Sequence, residues 1–508
     1  MMKVPHCLLR RIVRACAFSA ACLAIFLLAY DRFTAWYLFK PNVILITSDS
    51  LRPDHLGCYG YMRATSPDID RIASEGVIFT NTVTPGSWTM PSIPSLMTST
   101  HPRVHRVMLV DRKLPSRLPL LAEVVRDAGF TTAAFVNHLW LGTTGPGVAR
   151  GFDTFDNSYA LNRAQVAHHE GDSLLTDDLI NWLDRNGGKR VFVWAHYMNP
   201  HYPYTPPPPQ RDLFDDDGLY ETGRQAPVSS TPFLFGAIRD TTAKPMQYPN
   251  DVDHYVSRYD AEIRCVNNEV RRIVRYLDAA GLRRRTVLIV SADHGESLGE
   301  NDWYFEHNKP YETVIRVPLI FQGYGIRPSR PIPALVSLLD LAPTILDILD
   351  LPVPESFEGR SILPLVEGRA KEIRTYAYGG DPWSQDYIRT QSHKLLVIRP
   401  TDENLKHFGL ERKRRGIPHF FARMFRWGAA DAEPEAVEVA RLHNLAVDPG
   451  ETVDLSHAEP ELAAHLRSLL DHHIRGCEHK GEILKDGSAN TVGLDEKTTA
   501  FLRALGYI

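Results

Sequence analysis

From Pro41 onward, short runs of apolar residues alternate with longer segments of helical periodicity, and this alternation is the strongest constraint on the fold. The apolar runs carry no polar face, which is typical of strands that are buried on both sides. They lie at 43–47, 132–136, 191–196, 287–292 and 317–321. Helices are predicted between them, at 66–76, 117–129, 172–186 and 251–281. Strands that alternate with helices predict an α/β fold, with a mostly parallel sheet flanked by helices.

The character of the chain changes after about residue 370, where short predicted strands precede a late helix at 460–473. This change predicts a smaller C-terminal α+β subdomain. We therefore expect three parts. They are an N-terminal segment at 1–40, the α/β domain at 41–370 and the C-terminal subdomain at 371–508.

The N-terminal segment has the pattern of a membrane signal. Four basic residues, the last of them Arg14, precede an uncharged stretch at 15–30. As a helix that stretch covers about 24 Å, which is short for a bilayer but long enough for a thinned one. The basic flank predicts a cytoplasmic N-terminus and places the rest of the chain on the extracytoplasmic side, periplasmic or extracellular. An uncleaved anchor is favoured because no clear cleavage site follows, and a cleaved signal peptide is the alternative.

Charge and cysteine content exclude several classes of protein. Lys and Arg number 57 and Asp and Glu number 61, which gives a net charge of −4 and argues against a nucleic-acid-binding protein. The six cysteines are scattered and form no C-x-x-C pair, so neither a disulfide scaffold nor a thiolate zinc site is indicated.

Polar clusters follow three of the predicted strands. They are Ser48-Asp49-Ser50, Asp293-His294-Gly295-Glu296, and His196 followed by Asn199-Pro200-His201. Ligands of open α/β sheets bind beyond the carboxyl ends of the strands, so we expect these clusters to meet. Carboxylate oxygens with one imidazole suit Mn²⁺, Mg²⁺ or Ca²⁺ better than a metal that prefers thiolates.

A fourth candidate is Thr89, which precedes a predicted helix at 92–98. At a helix N-terminus its hydroxyl would meet both the helix dipole and a bound cation, and a metal or a base could turn it into a nucleophile. The alternative is an ordinary N-cap threonine.

Six segments, in order along the chain, resemble motifs of the sulfatase family of the alkaline-phosphatase superfamily. They are PNVILITSDSLRPDHLGCYG at 41–60, the helix at 66–80, HYMNPHYPY at 196–204, SADHGESLGE at 291–300, KPYE with RVP at 309–318, and the DPGE turn within 442–455. The resemblance implies an alkaline-phosphatase-like sheet, an ester substrate and one divalent metal ion.

The chain departs from that family at the nucleophile. Thr89 stands where sulfatases carry the Cys or Ser that becomes formylglycine, and Ile93 stands where they carry Arg. The arrangement is similar to the threonine-dependent phosphoryl transferases and phosphodiesterases of the same superfamily. The resemblance then implies that the ion, Mn²⁺, Ca²⁺ or Mg²⁺, is held by Asp49, Thr89, Asp293 and His294.

The same resemblance implies catalytic roles. Thr89 would form a covalent ester, His201 or His307 would protonate the leaving oxygen, and Lys309 would neutralise charge on the transferred group. Ser50 and Glu296 are expected to support the ligands from behind.

These observations predict a membrane-anchored hydrolase of phosphate or sulfate esters in a glycan, a lipid or a small molecule. A phosphodiester or phosphonate monoester is favoured, because a sulfothreonine lacks the release route that formylglycine provides. Three alternatives remain: a sulfatase, a transferase that moves a phospho-substituent to a lipid or glycan, and an inactive protein that binds anionic glycans. The basic, aromatic segment at 406–427 either lies on anionic lipid or packs under the C-terminal subdomain.

Overall fold

The computed structural model describes residues 40–142, 145–161, 168–215, 219, 223–224, 226, 251–381, 385–399 and 438–486. The predicted anchor, apart from Lys40, and the segment at 406–427 lie outside these residues. Within the described ranges, no helix is both long and apolar enough to span a bilayer.

Fourteen strands are described. In chain order they are β1 Asn42–Ser48, β2 Val77–Val83, β3 Thr131–Val136, β4 Thr154–Asp156, β5 Val191–Tyr197, β6 Thr286–Ala292, β7 Ser297–Leu298, β8 Tyr304–Glu306, β9 Arg316–Gly323, β10 Val336–Ser337, β11 Ala377–Gly380, β12 Gln385–Arg389, β13 His393–Ile398 and β14 Val439–Asn444. The α-helices are α1 Pro67–Ser74, α2 Thr89–Thr98, α3 Pro102–His105, α4 Leu121–Asp127, α5 Ser158–Leu161, α6 His168–Asn186, α7 Val252–Ala279, α8 Glu312–Ile315, α9 Leu341–Ile348, α10 Leu363–Val366 and α11 Pro460–Leu484.

The central sheet has eight strands in the order β10-β2-β9-β6-β1-β5-β3-β4. All neighbours pair in parallel except β9, which is antiparallel to both β2 and β6. The predicted, mostly parallel α/β sheet is therefore confirmed. The sequence analysis did not predict β2, whose residues Thr80, Asn81 and Thr82 interrupt the apolar pattern although the last two are buried.

Both faces of the sheet are covered. Along β1, Val43 and Leu45 belong to one hydrophobic core, whereas Ile44 and Ile46 belong to the core on the other face. Successive side chains of a strand point to opposite faces, so a continuous apolar run is what a doubly covered strand requires.

The C-terminal region forms a four-stranded antiparallel sheet, β11 to β14, against which α11 packs. This confirms the predicted α+β subdomain. The last helix continues well beyond 473, because Leu466, Leu470, Ile474 and Cys477 extend its buried stripe at helical spacing. Arg103 of α3 reaches across to Asp386 of β12 at 2.7 Å, so the subdomain packs directly on the main domain.

Candidate active site

The site lies at the carboxyl edge of the central sheet, where β1 runs between β5 and β6. Asp49 follows β1 directly, and Asp293 follows β6. The two acids lie side by side because Ser48 and Ala292, the last residues of the two strands, are aligned. His294 comes next in the chain, and its Nε2 lies 3.3 Å from Asp49 Oδ1 and 3.6 Å from Asp293 Oδ2. All three side chains are fully buried. The strand alignment thus brings together the acidic groups and the imidazole that the sequence analysis selected.

The protonation of His294 shows what this cluster can bind. Its Nδ1 lies 2.8 Å from the carbonyl oxygen of Gly295, which can only accept a proton, so the neutral ring carries its lone pair on Nε2. Burial lowers the pKa of His294, which favours that neutral form. Asp293 Oδ2 accepts no hydrogen bond from any residue that the structure describes. Two buried carboxylates around a lone pair require a cation, so this donor set fits a divalent metal.

Thr89 completes the predicted set of four. Its Oγ1 lies 3.4 Å from Asp49 Oδ2 and 3.3 Å from His294 Nε2. Thr89 is the first residue of α2, and the N-cap position belongs to Trp88, so the ordinary N-cap interpretation of Thr89 is wrong. One turn later, Ser92 donates its hydroxyl to the carbonyl oxygen of Asp293 at 2.7 Å, which ties the helix to the end of β6.

Ser50 supports Asp49 from behind. It adopts a left-handed backbone with φ of 61°, a conformation that costs a non-glycine residue about 1–2 kcal/mol. Tyr259 of α7 holds this turn, because its hydroxyl donates to the carbonyl oxygen of Ser50 at 2.7 Å and accepts the Arg52 N–H at 3.0 Å. The Ser50 hydroxyl then lies 3.1 Å from Asp49 Oδ1 and orients that carboxylate.

Two further histidines stand in a row beside His294. The ring of His307 is 4.5 Å from that of His294, and the ring of His201 is 5.2 Å from that of His307. Burial lowers the pKa of His201 well below its usual range and that of His307 to about 4. Both rings are therefore neutral at pH 7 in the free protein, and they cannot donate a proton until they have received one.

Glu296 contacts His307 rather than His294. Its Oε1 lies 3.3 Å from His307 Nδ1, while the Gly295 carbonyl already orients His294. Burial raises the pKa of Glu296 to about 8, so this carboxyl group is mostly protonated at neutral pH.

Lys309 lies on the segment between β8 and α8. Its ammonium group is 3.6 Å from the centre of the Trp303 ring, a cation–π contact that holds the side chain in place. Burial lowers the pKa of Lys309 to about 8, so the side chain is still mainly charged at pH 7.

The structure brings two further histidines to the site. One is His196 of β5, which the sequence analysis named in its third polar cluster without giving it a role, and which forms a close group with Asp49 and Asp293. The other is His138, which the sequence analysis did not select; it follows β3 and places Nε2 3.6 Å from Asp49 Oδ2. Both lie at the carboxyl ends of strands, so the argument that selected Asp49 applies to them as well.

Ile93 lies in the hydrophobic core and is fully buried. On the described backbone, the position that carries Arg in sulfatases therefore packs against apolar neighbours. It adds no positive charge beside Thr89.

Comparisons with known proteins agree with this architecture. The family model described as Sulfatase matches residues 41–351, and the model described as N-sulphoglucosamine sulphohydrolase, C-terminal, matches residues 299–452. The first match alone spans more than half of the chain.

Individual relatives are similar over most of their length. The chain is 25% identical over 390 residues to a Delta 4,5-hexuronate-2-O-sulfatase of Bacteroides thetaiotaomicron, covering 71% of this chain and 79% of the relative. It is 26% identical over 499 residues to the low-salt glycan biosynthesis sulfotransferase Agl7 of Haloferax volcanii, covering 92% and 96%. Its fold is similar to that of the phosphonate monoester hydrolase of Agrobacterium radiobacter, with a TM-score of 0.62, 19% identity and coverage of 90% and 96%. These relatives are consistent with an enzyme that acts on sulfuric or phosphoric esters, and the chain belongs to the sulfatase family.

Proposed function

We propose that this protein is a membrane-anchored, extracytoplasmic hydrolase that cleaves a phosphodiester or phosphonate monoester through a covalent bond to Thr89. The observation that carries the proposal is the position of the Thr89 hydroxyl. It lies 3.3–3.4 Å from both His294 Nε2 and Asp49 Oδ2, at the N-terminus of α2. A hydroxyl at that distance from a carboxylate and an imidazole lone pair is placed to share a bound cation with both groups.

The residues fit the divalent metal that the family implies, and Asp49, Asp293, His294 and Thr89 would hold it. When bound, the ion supplies positive charge that lowers the pKa of the Thr89 hydroxyl and stabilises the charge of the ester oxygens. The two negative charges of the buried Asp49 and Asp293 would then balance the two positive charges of the ion.

The reaction has two steps. The Thr89 oxygen attacks phosphorus in line, so that a P–O bond to threonine forms while the bond to the leaving alkoxide breaks. Water then attacks phosphorus of the threonine ester and gives a proton to a neutral histidine, and that proton passes to the Thr89 oxygen as the P–O bond to Thr89 breaks. A diester thus leaves as a phosphate monoester, and a phosphonate monoester leaves as the phosphonate.

The neutral histidines manage the protons. The Nδ1 of His201 lies 2.6 Å from the carbonyl oxygen of Tyr202, so its Nε2 is the acceptor of the neutral ring. His201 or His307 first accepts a proton, and then returns it to the leaving oxygen. Lys309, still charged at pH 7, neutralises the group in transfer.

Charge favours the substrate class. Ile93 adds no cation beside Thr89, and the buried guanidinium of Arg52 is paired with Asp54 and Glu300, so the proposal assigns the neutralising charge to the metal and Lys309. A phosphodiester or a sulfate ester carries one negative charge and suits such a site better than a dianionic phosphate monoester. Between these two, water can release a phosphothreonine, whereas a sulfothreonine lacks the escape that formylglycine gives to sulfatases.

Transfer to an acceptor is the second candidate. The similarity to the glycan biosynthesis sulfotransferase covers 92% of this chain and 96% of that relative, and it supports a transfer reaction. An acceptor alcohol of a glycan or lipid would then replace water in the second step.

The test is a panel of nitrophenyl phosphodiesters, phosphonates, phosphate monoesters and sulfates, assayed on the full chain in detergent with each metal ion. We expect the highest kcat/KM for a phosphodiester or phosphonate, and a covalent adduct on Thr89 after acid quenching. Thr89→Ser keeps the hydroxyl and is the matched control for Thr89→Ala. Preference for the aryl sulfate would refute the substrate class, and full activity of Thr89→Ala would refute the covalent mechanism.

A further inference from the structure

His196 occupies a position that the set of four ligands leaves unexplained. One nitrogen of its ring, one oxygen of Asp49 and one oxygen of Asp293 all lie within 4.8 Å of one another. All three side chains are fully buried. His196 reaches the carboxylates from β5, where it is aligned with Thr47 of β1, whereas His294 approaches from the end of β6.

The hydroxyl of Thr47 lies beside the ring of His196, with Oγ1 2.8 Å from Nδ1. A threonine hydroxyl donates once and can accept twice. Thr47 Oγ1 accepts the indole N–H of Trp194 at 2.9 Å, and its proton can reach the carbonyl oxygen of Ala195 at 3.4 Å. Thr47 is therefore able to accept from Nδ1 of His196, and in that tautomer the lone pair of the ring is on Nε2.

This hydrogen bond has the form that supports a metal-bound histidine. Histidine ligands usually donate their second ring N–H to an oxygen, which fixes the ring and the tautomer. His196 has Thr47 in that role, and His294 has the carbonyl of Gly295. In that tautomer of His196, two imidazoles with lone pairs on Nε2 lie beside the same pair of carboxylates.

The distances are compatible with one ion. With metal–ligand bonds of about 2.0–2.2 Å, two ligands of zinc lie about 3.4 Å apart in a tetrahedron and about 4.2 Å apart when opposite. The His294 nitrogen already lies 3.3 Å and 3.6 Å from the two carboxylates. The His196 nitrogen and the two carboxylate oxygens lie at most 4.8 Å from one another. Each pair of these atoms would therefore approach by less than about 1.5 Å to reach the tetrahedral separation.

We infer that His196 is a further ligand of the metal, and that the site therefore prefers a borderline ion such as Zn²⁺ over Ca²⁺. This inference rests on the proposed function, because it concerns the same ion. Ca²⁺ takes six to eight oxygen ligands, whereas the described residues supply two carboxylates, the hydroxyl of Thr89 and the imidazoles of His196 and His294, with that of His138 3.6 Å from Asp49. Ser50 adds to the difference, since a serine stands where many sulfatases have a second Asp. Nitrogen ligands raise the affinity for zinc relative to calcium.

Metal affinity tests the inference without any turnover. The chelated, metal-free full chain is titrated in detergent with Zn²⁺, Mn²⁺ and Ca²⁺ separately, against a fluorescent chelator. We expect wild type to bind Zn²⁺ at least 100-fold more tightly than Ca²⁺. His196→Ala should weaken Zn²⁺ at least tenfold and change Ca²⁺ less than threefold. Thr47→Val, which removes the oxygen beside His196 Nδ1 together with the acceptor of the Trp194 indole N–H, should give an intermediate loss. His443→Ala, which removes a buried histidine of β14, is the control and should leave both affinities unchanged.

X-ray absorption of the zinc-loaded protein gives a second measurement. At least two imidazoles per zinc in wild type, with one fewer in His196→Ala, support the inference. A single imidazole in wild type, or an unchanged imidazole count in His196→Ala, overturns it, as does an unchanged Zn²⁺ affinity in a folded His196→Ala protein. A site that prefers Ca²⁺ overturns it as well. Zinc on two imidazoles without any ester turnover would leave the ligand assignment standing and refute the proposed function alone.

Discussion

Replacing Lys394 with methionine should be the most damaging single change outside the site. Lys394 of β13 is completely buried, and its ammonium pairs with Glu451 and lies 3.7 Å from Glu312. It also donates to the carbonyl oxygen of Pro310 at 2.7 Å. Arg389 satisfies Glu312 through contacts at 3.0 Å and 3.1 Å, so the loss falls on Glu451.

The magnitude follows from the charge that is left behind. Two cations and two carboxylates become one cation and two carboxylates, and removing one partner of a buried pair costs about 3–5 kcal/mol. An unfolding entropy of about 2.1 cal/mol/K per residue gives about 1 kcal/mol/K for a chain of 508 residues. The melting temperature should therefore fall by about 3–5 °C.

The stability lost in Lys394→Met should also depend on pH. Burial already raises the pKa of Glu451, and the loss of Lys394 raises it further. A carboxyl group whose pKa is higher in the folded state than in the unfolded state makes its full contribution to stability below the unfolded pKa, near 4.3. That contribution is lost as the pH rises through the folded-state pKa. The variant should therefore lose more stability at pH 8 than at pH 5.

Calorimetry of the full chain in detergent measures both effects. Lys480→Met is the matched control, because Lys480 contacts Glu358 at 2.6 Å but is 57% exposed, and it should cost less than about 1 kcal/mol. Since Pro310 adjoins Lys309, kcat/KM of Lys394→Met should fall as well. Melting within 1 °C of wild type at pH 8 would refute the reasoning.

Three further predictions concern the site. Thr89→Ala should abolish turnover while changing the unfolding free energy by only about 1 kcal/mol, as measured by steady-state kinetics and calorimetry. The kcat/KM of wild type should fall above pH 8, because Lys309, with a pKa of about 8, loses its proton there; Lys309→Met should lack this alkaline limb. Chelation should lower the melting temperature by about 2–3 °C, since an ion at 100 times its Kd adds about 2.7 kcal/mol, and an unchanged transition would contradict a buried cation between Asp49 and Asp293.

Much of this architecture could be predicted from the sequence, because it depends on local patterns. Apolar runs that end in Asp49 and Asp293 predict both the strands and the edge at which the acids meet. Asp49, Asp293 and His294 lie together because β1 and β6 are neighbours, which the rule for parallel sheets anticipates. Thr89 joins them from the N-terminus of α2.

The features that were missed depend on alignment across distant parts of the chain. His196 was named in the third polar cluster but received no role, because only the alignment of β5 with β1 brings it beside the carboxylates. Glu296 was expected behind His294, but the turn after β6 directs it to His307. β2 was not predicted because polar residues interrupt its apolar pattern, although most of them are buried by tertiary contacts.

The strand order has a consequence for biogenesis. β1, which leads to Asp49, pairs with β5 and β6, and the register joins Asn42 to Thr286. At a synthesis rate of about 5–20 residues per second, β1 waits roughly 10–50 s for its second neighbour. During that time an apolar strand keeps at least one unpaired edge, and contacts between such distant segments form slowly. For the extracytoplasmic protein proposed above, a chaperone that holds the segment at 42–48 until β6 emerges would keep this strand from pairing elsewhere.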